Sequence, residues 1–171
     1  GERTSPNALK AIEAAAASLL TAEHPVISVN GNAAALSAKD LVKLAHQVNA
    51  KIEVNLFHRS FDRERAIENL LRTAGASQVL GVGEASSATI PEIASERSRV
   101  DPKGILIADV VLVPLEDGDR TEALVKLGKK VIAIDLNPLS RTAKFASVTI
   151  VDNVVRAMPS LTRMVEKLRA E

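Results

Sequence analysis

Short apolar runs alternate with longer amphipathic runs along this chain, and that alternation constrains its fold more than any other feature. Strand–helix alternation predicts a parallel sheet with helices on both faces. The run 108–115 is apolar apart from Asp109, as expected for a central strand that is covered on both sides. We therefore predict a three-layer, doubly wound, Rossmann-like α/β fold with about six parallel strands, in a single domain over residues 1–171.

The individual elements are predicted from residue type and from the period of the apolar positions. The predicted strands cover residues 25–29, 51–56, 78–82, 108–115, 130–134 and 147–151. The predicted helices cover residues 6–23, 38–49, 62–74, 119–127 and 160–170, the last with Pro159 at its start. The stretch 83–104 is long for a structureless loop in a compact domain, so it is either a functional lid or contains an element that the pattern misses.

The composition excludes several classes of function. The 171 residues carry a formal net charge of +1 and contain neither Tyr nor Trp, so no nucleic-acid partner is expected. Cysteine is absent, which excludes disulfides and thiolate sites and is typical of a reducing compartment such as the cytoplasm. No apolar run reaches the roughly 18 residues that a membrane span needs, so no membrane partner is predicted.

Polar clusters follow five of the predicted strands, at the sheet edge where open α/β folds bind their ligands. The clusters are residues 30–32, 56–60, 116–121, 135–142 and 152–153. Three of them contain an arginine, namely Arg59, Arg120 and Arg141. Because the carboxyl ends of parallel strands share one edge, these clusters predict a site for a small ligand that carries phosphate.

Each cluster also has a purely structural interpretation. Residues 30–32 could form only a turn, and Asp119 and the pair 152–153 could each only cap a helix. The functional alternatives are a phosphate at the backbone N–H groups of 30–32, Mg²⁺ at Asp117 and Asp119, and an anion at the helix start after 152–153. Segment 135–142 is the hardest to explain structurally, because it combines a carboxylate, an amide and a fixed cation.

Several well-known motifs are missing from the sequence. It contains no G-x-G-x-x-G, no G-x-x-x-x-G-K-[ST] and no G-x-S-x-G, so the dinucleotide, P-loop and serine-nucleophile interpretations lose their main support. The three histidines, at positions 24, 46 and 58, are too scattered to form a metal pair on one helix.

With these residues in view, the sequence resembles the archaeal 4-phosphopantoate–β-alanine ligases, also called phosphopantothenate synthetases. The matching segments are HPVISVNGN at 24–32, EVNLFHR at 53–59, the block 108–124 with EDGDRTEAL, and the block 134–157 with IDLNPLSRT and VDNVVRA. The resemblance covers nearly the whole chain. It is weakest over 83–104, although Ile90–Pro91 and Glu96–Arg97 match there.

The resemblance implies a step of coenzyme A biosynthesis. ATP-dependent condensation of 4-phosphopantoate with β-alanine would give 4′-phosphopantothenate through an acyl adenylate, with release of AMP and pyrophosphate. It also implies ATP and Mg²⁺ as cofactors and a homodimer. The nucleotide contacts of the family fall here on Asp135, Leu136, Asn137, Arg141, Thr142, Asn153 and Val154.

The remaining roles are assigned from position at the strand ends. The phosphopantoate pocket is placed at Asn30, Gly31 and Asn32, next to His58 and Arg59. Arg59 and Arg120 would offset the repulsion between the two anionic substrates, and Asp117 and Asp119 would hold Mg²⁺. His58 is the one candidate for a proton acceptor, because histidine changes charge near neutral pH.

One departure from the family keeps alternatives open. Members of the family have an N-terminal segment before the position of Gly1 that contributes arginines to the nucleotide site, and we expect the present chain to lack it. A phosphosugar-binding or isomerase-like α/β domain is the second hypothesis, with 86–89 (Ser-Ser-Ala-Thr) as its phosphate loop. A non-catalytic remnant that dimerises or binds nucleotide is the third.

Overall fold

The computed structural model describes residues 2–170, in which helices and strands alternate. The helices are α1 (Pro6–Leu20), α2 (Gly31–Gln47), α3 (Phe61–Thr73), α4 (Gly118–Lys126), α5 (Arg141–Phe145) and α6 (Val154–Ala170). The strands are β1 (Pro25–Val29), β2 (Lys51–Val54), β3 (Ala88–Thr89), β4 (Arg99–Val100), β5 (Val110–Pro114), β6 (Lys130–Ile134) and β7 (Val148–Ile150).

Within the described residues, five strands form a wholly parallel central sheet in the order β2-β1-β5-β6-β7. The one predicted strand outside this sheet order, 78–82, is reduced to a single parallel bridge between Leu80 and Glu53. Leu80 donates to the Ile52 carbonyl (2.8 Å) and accepts from the Val54 N–H (2.9 Å). Gly81, at φ +74°, then directs the chain away from the sheet, so the pairing stops there.

Helices cover both faces of the sheet, which confirms the three-layer architecture. Along β5, Leu112 joins the core with α1, α2, α3 and α6, whereas Val111 and Val113 face the opposite layer. That second layer contains α4 and residues 90–108. The alternation follows from the pleat of a strand, and it explains why β5 is apolar on both sides.

The stretch 83–104 contains elements that the sequence pattern misses. β3 and β4 pair antiparallel as a short hairpin, and 3₁₀ turns occupy 83–85 and 96–98. Ile90, Ile93 and Val100 are buried against the sheet. This stretch is therefore part of the second layer rather than a structureless loop.

Two helices begin earlier than predicted because an asparagine precedes each of them. α2 begins at Gly31 instead of residue 38, since the Asn30 side chain accepts from the Ala33 N–H (2.9 Å), and its two parts meet at a kink at Ser37. α6 begins at Val154 instead of residue 160, because the side chain of Asn153 accepts from the Val155 N–H (2.9 Å). Pro159 therefore lies inside α6.

None of the helices among residues 2–170 combines the length and apolar character that a bilayer crossing requires.

Candidate functional site

The centre of the site is the seam between β1 and β5, where the strand order reverses direction. In sheets of this order, ligands bind beyond the carboxyl ends of the two strands at that point. Asn30 spans the seam, because its Nδ2 donates to the carbonyls of Leu115 (2.8 Å) and Pro114 (3.4 Å). Leu115 has a positive φ of 56°, which is uncommon for a residue other than glycine and is often found beside functional sites.

A cleft of about 460 Å³ opens at this edge of the sheet, which is within the usual range for small-molecule sites. Its walls come from the residues after β2, from the stretch between β3 and β4, and from the N-terminal ends of α4 and α5. The lining residues are Phe57, Ile93, Ala94, Ser95, Arg97, Asp117, Gly118, Asp119, Arg120 and Arg141.

Two of the lining residues, Arg97 and Arg120, share one buried carboxylate behind the wall of the cleft. Glu116 pairs with Arg97 through Oε1 and with Arg120 through Oε2. The side chains are 2 % exposed for Glu116, 8 % for Arg97 and 1 % for Arg120. Arg120 also donates to the hydroxyl of Ser28 on β1 (3.0 Å), so the cluster ties α4 to the neighbouring strand.

The arginine pair retains hydrogen-bonding capacity. Nε and Nη2 of Arg120 are buried and donate to no acceptor among residues 2–170. Burial lowers the pKa of Arg120 and of Arg97 to about 10, with nearby carboxylates opposing that shift, so both guanidinium groups remain charged at neutral pH. A buried cation with unpaired N–H groups is costly unless an anion completes it.

The rim of the cleft is a second set of ion pairs. Arg141, at the start of α5, pairs with Asp119 and, at 2.5 Å, with Glu122 on α4. Asp117 lies 3.3 Å from the Nε of Arg97 and is half exposed. The predicted ligand residues Asp117, Asp119, Arg120 and Arg141 therefore do meet in one place.

The segment after β6 is an ordered turn beside this rim. Asp135 accepts from the N–H of Asn137 (2.8 Å) and from the hydroxyl of Ser140 (2.5 Å), which in turn caps α5. Thr142 is buried and donates to the Glu116 carbonyl (2.8 Å), which joins this segment to the cleft. Leu136 is exposed and offers an apolar surface beside the turn.

The residues after β7 continue the same edge of the sheet. Asp152 accepts from the hydroxyl of Thr4 and from Nη2 of Arg156, both at 2.6 Å. These bonds, together with the backbone N–H of Asn153, lower its pKa despite the opposing effect of burial. Asn153 and Val154 form the start of α6, where helix-end N–H groups favour an anion.

The residues after β2 are divided between the cleft and a separate cluster. Phe57 lines the cleft, and the ring of His58 stands edge-on to it at 4.8 Å. Arg59 turns away and donates to Glu64 (2.7 Å) and to the Gly81 carbonyl (2.8 Å). Its Nε and Nη2 are buried without an acceptor among residues 2–170, and the side chain does not line the cleft, so the structure does not bring Arg59 together with Arg120 and Arg141.

The arrangement is compatible with Mg²⁺ that is shared with a phosphate-bearing ligand. No group of three acidic, histidine or cysteine side chains within residues 2–170 is placed to hold a metal by itself. Mg²⁺ commonly takes only one or two carboxylates and completes its shell with water and substrate phosphates. Asp117 and Asp119, both in the wall of the cleft, could supply those carboxylates.

Sequence reasoning missed Arg97, Glu116 and Ser28 as members of the site. Glu116 lies in one of the polar clusters that follow a predicted strand, and Arg97 lies in the part of 83–104 that matches the family. Both residues could therefore have been identified from the sequence as candidates for the site. Nothing local marks Ser28, because its contact with Arg120 joins residues 92 positions apart.

Comparison with known proteins connects this geometry to one family. The model of the phosphopantothenate/pantothenate synthetase family matches residues 7–171. The 4-phosphopantoate–β-alanine ligase of Thermococcus onnurineus is 54 % identical over 170 residues, which are 99 % of this chain and 64 % of that protein. The ligase of Methanosarcina mazei is 52 % identical over 171 residues, or 100 % and 66 %. The chain thus spans slightly less than two thirds of these relatives' length.

Solved structures share the fold at low sequence identity. A putative thiamin diphosphate-dependent enzyme from Mycobacterium smegmatis superposes with a TM-score of 0.58 at 16 % identity, over 96 % of this chain and 29 % of that chain. The sugar isomerase domain of an RpiR transcription factor from Sphaerobacter thermophilus gives 0.51 at 16 % identity, over 98 % and 81 %. At this identity the likeness concerns the fold alone.

Proposed function

The chain belongs to the phosphopantothenate/pantothenate synthetase family, and from that premise we propose that it joins 4-phosphopantoate to β-alanine with ATP. The products are 4′-phosphopantothenate, AMP and pyrophosphate, and the reaction is a step of coenzyme A biosynthesis. The observation that carries the proposal is the 54 % identity, over 99 % of this chain, with a 4-phosphopantoate–β-alanine ligase. We place the reaction in the cleft at the β1–β5 seam.

The chemistry proceeds in two displacements. A carboxylate oxygen of 4-phosphopantoate attacks the α-phosphorus of ATP, and pyrophosphate leaves with the electron pair of the broken P–O bond. The amine of β-alanine then attacks the acyl carbon of the adenylate, loses a proton and displaces AMP. The protein's part is to bring two anions together and to stabilise the charge that develops, and cations fixed in a cleft suit that task.

The nucleotide is proposed to bind along the ends of β6 and β7. There Asp135 and Asn137 face a ribose, Leu136 packs against the base, and Thr142 and Arg141 approach the phosphates. Asn153 and Val154 add the N-terminal end of α6, whose N–H groups favour an anion. The exposure of Leu136 and the adjacency of Thr142 to Glu116 support this placement.

The 4-phosphopantoate is proposed to bind at the seam itself, next to the nucleotide. Asn30, Gly31 and Asn32 form the N-terminal end of α2 at that edge, and they would contact the hydroxyl-bearing part of the substrate between its carboxylate and its phosphate. Arg120 supplies a cation, whereas Arg59, predicted for the same role, is paired with Glu64 outside the cleft. His58, exposed beside Phe57, is the proposed proton acceptor for the β-alanine amine.

Mg²⁺ is proposed to accompany the nucleotide at Asp117 and Asp119. It would neutralise part of the triphosphate charge and so make the α-phosphorus easier to attack. Each carboxylate is paired with an arginine in the absence of ligand, Asp117 with Arg97 and Asp119 with Arg141. Metal binding would release Arg141 to contact the triphosphate, and it would leave Arg97 paired with Glu116 alone.

We also propose a homodimer in the cytoplasm. Leu139 and Phe61 are 73 % and 66 % exposed, and a second subunit would shield such apolar side chains from water. The composition, without cysteine, fits a reducing compartment.

The test is to incubate the purified protein with ATP, Mg²⁺, 4-phosphopantoate and β-alanine, and to measure AMP and pyrophosphate. We expect both products in equal amounts, with continuous release of each only when 4-phosphopantoate and β-alanine are both present. Formation of ADP, or turnover without either organic substrate, would contradict the ligase. A protein that ignores ATP but is stabilised by sugar phosphates would favour the phosphosugar hypothesis, and one that binds nucleotide without turnover would favour the remnant.

A further inference from the structure

We propose that Arg97 and Arg120, spaced by Glu116, bind the phosphate ester of 4-phosphopantoate and so select the phosphorylated substrate over pantoate. The inference rests on the proposed function and assigns one group of its substrate to named side chains. Arg97 acts as a specificity determinant, and Glu116 is a positioning residue that holds the two guanidinium groups on either side of its carboxylate.

The charge balance of the cluster is the first argument. Arg120 faces the buried carboxyls of Glu116 and Glu53, whereas Arg97 shares Glu116 and, among residues 2–170, otherwise pairs only with Asp117, which is 53 % exposed. The positive charge of Arg97 is therefore the less compensated of the two. An anion that enters the cleft can compensate that charge, and a dianionic phosphate compensates it better than a carboxylate.

The unpaired donors are the second argument. Arg120 is 1 % exposed and lies in the wall of the cleft, and its Nε and Nη2 donate to nothing among the described residues. One edge of this guanidinium is already committed to Glu116 and Ser28. The remaining edge has the parallel N–H geometry that matches two oxygens of a phosphate.

The position of the cluster decides which anion it receives. The nucleotide residues follow β6 and β7, whereas Arg120 contacts Ser28 on β1, on the far side of β5. The substrate carboxylate must reach the α-phosphorus, so it lies at the end of the cleft beside Arg141. The phosphate at the other end of the same molecule then extends toward Arg97 and Ser95, which line the remainder of the cleft.

The experiment compares 4-phosphopantoate with pantoate as substrates of the parent protein and of Arg97→Gln. We expect kcat/KM for 4-phosphopantoate to fall by about 30-fold or more in the variant, while the value for pantoate changes by less than about threefold. Inorganic phosphate should inhibit the parent protein competitively against 4-phosphopantoate, and this inhibition should be absent in the variant. If pantoate turnover is below detection, the inhibition by phosphate tests whether Arg97 binds the phosphate group.

The controls separate charge from folding. Arg99→Gln removes a positive charge from the same stretch, at a side chain that is 43 % exposed and only 3.9 Å from Glu96, and should leave both substrates unaffected. Arg97→Lys keeps the charge without the planar fork and should restore part of the discrimination. Thermal unfolding of each variant shows whether Arg97→Gln retains its fold. If it does not, the two substrates are compared in Arg97→Lys instead.

The outcomes distinguish this inference from the proposed function. If the parent protein makes no AMP from 4-phosphopantoate and β-alanine, the proposed function fails, and this inference fails with it. If the parent is active and Arg97→Gln and Arg97→Lys keep full discrimination against pantoate, only this inference is overturned. An equal loss for both substrates would also overturn it, since Arg97 would then act on a group that pantoate shares.

Discussion

Gly118 packs against the side chain of Arg141 so closely that a β-carbon on Gly118 would overlap the Cβ of Arg141. The first turn of α4 and the first turn of α5 therefore approach each other only because residue 118 has no side chain. This contact fixes the position of Arg141 at the rim of the cleft.

Gly118→Ala is expected to push α4 and α5 apart. A Cβ contact cannot be relieved by rotating the end of a side chain, so we expect a loss of about 1–3 kcal/mol in the free energy of unfolding. Urea unfolding gives this value. Gly31→Ala is the matched control, since its added Cβ would meet nothing closer than the Ile67 Cδ1 at 3.8 Å. Equal stability of the two variants would show that α5 moves freely.

Arg141→Gln is expected to weaken Mg-ATP binding by a factor of about ten to a thousand, because one charged contact to the phosphates is lost. Isothermal titration calorimetry of the variant against the parent protein measures the change. Lys144→Gln, at an exposed lysine on the same short helix, controls for the altered net charge. Unchanged nucleotide affinity in Arg141→Gln would remove Arg141 from the proposed nucleotide site.

Asp117→Asn is expected to alter the metal dependence of the reaction more than its maximal rate. Asparagine keeps one oxygen ligand but loses the negative charge that attracts Mg²⁺, so the Mg²⁺ titration of AMP formation should shift to higher concentration by about tenfold. Glu13→Gln, at an exposed position on α1, serves as the control for charge. A titration that matches the parent protein's would exclude Asp117 as a metal ligand.

Glu53 is expected to make stability fall as pH rises from about 4.5 to 7. The side chain is fully buried, and burial raises its pKa to about 7, although N–H groups of Ile105 and Asp101 and the charge of Arg120 oppose that shift. Between those pH values the folded protein holds a proton that the unfolded chain has released. The associated loss is about 3 kcal/mol at most.

Urea unfolding at pH 5.0 and pH 7.5 tests this contribution. Glu53→Gln should be less stable than the parent protein at pH 5.0, because an amide cannot accept from both backbone N–H groups, but it should lack the decline toward pH 7.5. The same pH slope in the variant and the parent protein would assign the decline to another group.

Sequence reasoning succeeded where the controlling interactions are local. Strands 25–29 and 130–134 were predicted with the bounds that the structure has, because apolar runs bounded by turn residues are a strong signal. The clusters around Asp117 and Arg141 were expected at one edge, and they form ion pairs there. The clusters meet at one edge because the strands are parallel, and the alternation of strands and helices in the sequence already predicts a parallel sheet.

The errors arise where distant contacts or backbone geometry decide. The burial of Ile90 and Ile93 depends on a sheet that the local pattern of 83–104 does not reveal. Arg120 was expected as a cation near substrate, but only the fold shows that it is buried, with Ser28 and Glu116 as partners. The early start of α2 depends on the Asn30 side chain, which a turn interpretation of 30–32 also allows.

The seam between β1 and β5 has a further consequence for the route by which the chain folds. Asn30 and Leu115, which meet across it, are 85 residues apart in sequence, whereas β5, β6 and β7 follow one another closely along the chain. Closing so long a loop is entropically costly, so pairs that are near in sequence are favoured to form first. The two halves of the sheet should therefore dock late during folding, and the cleft that we assign to substrate comes into being only at that final step.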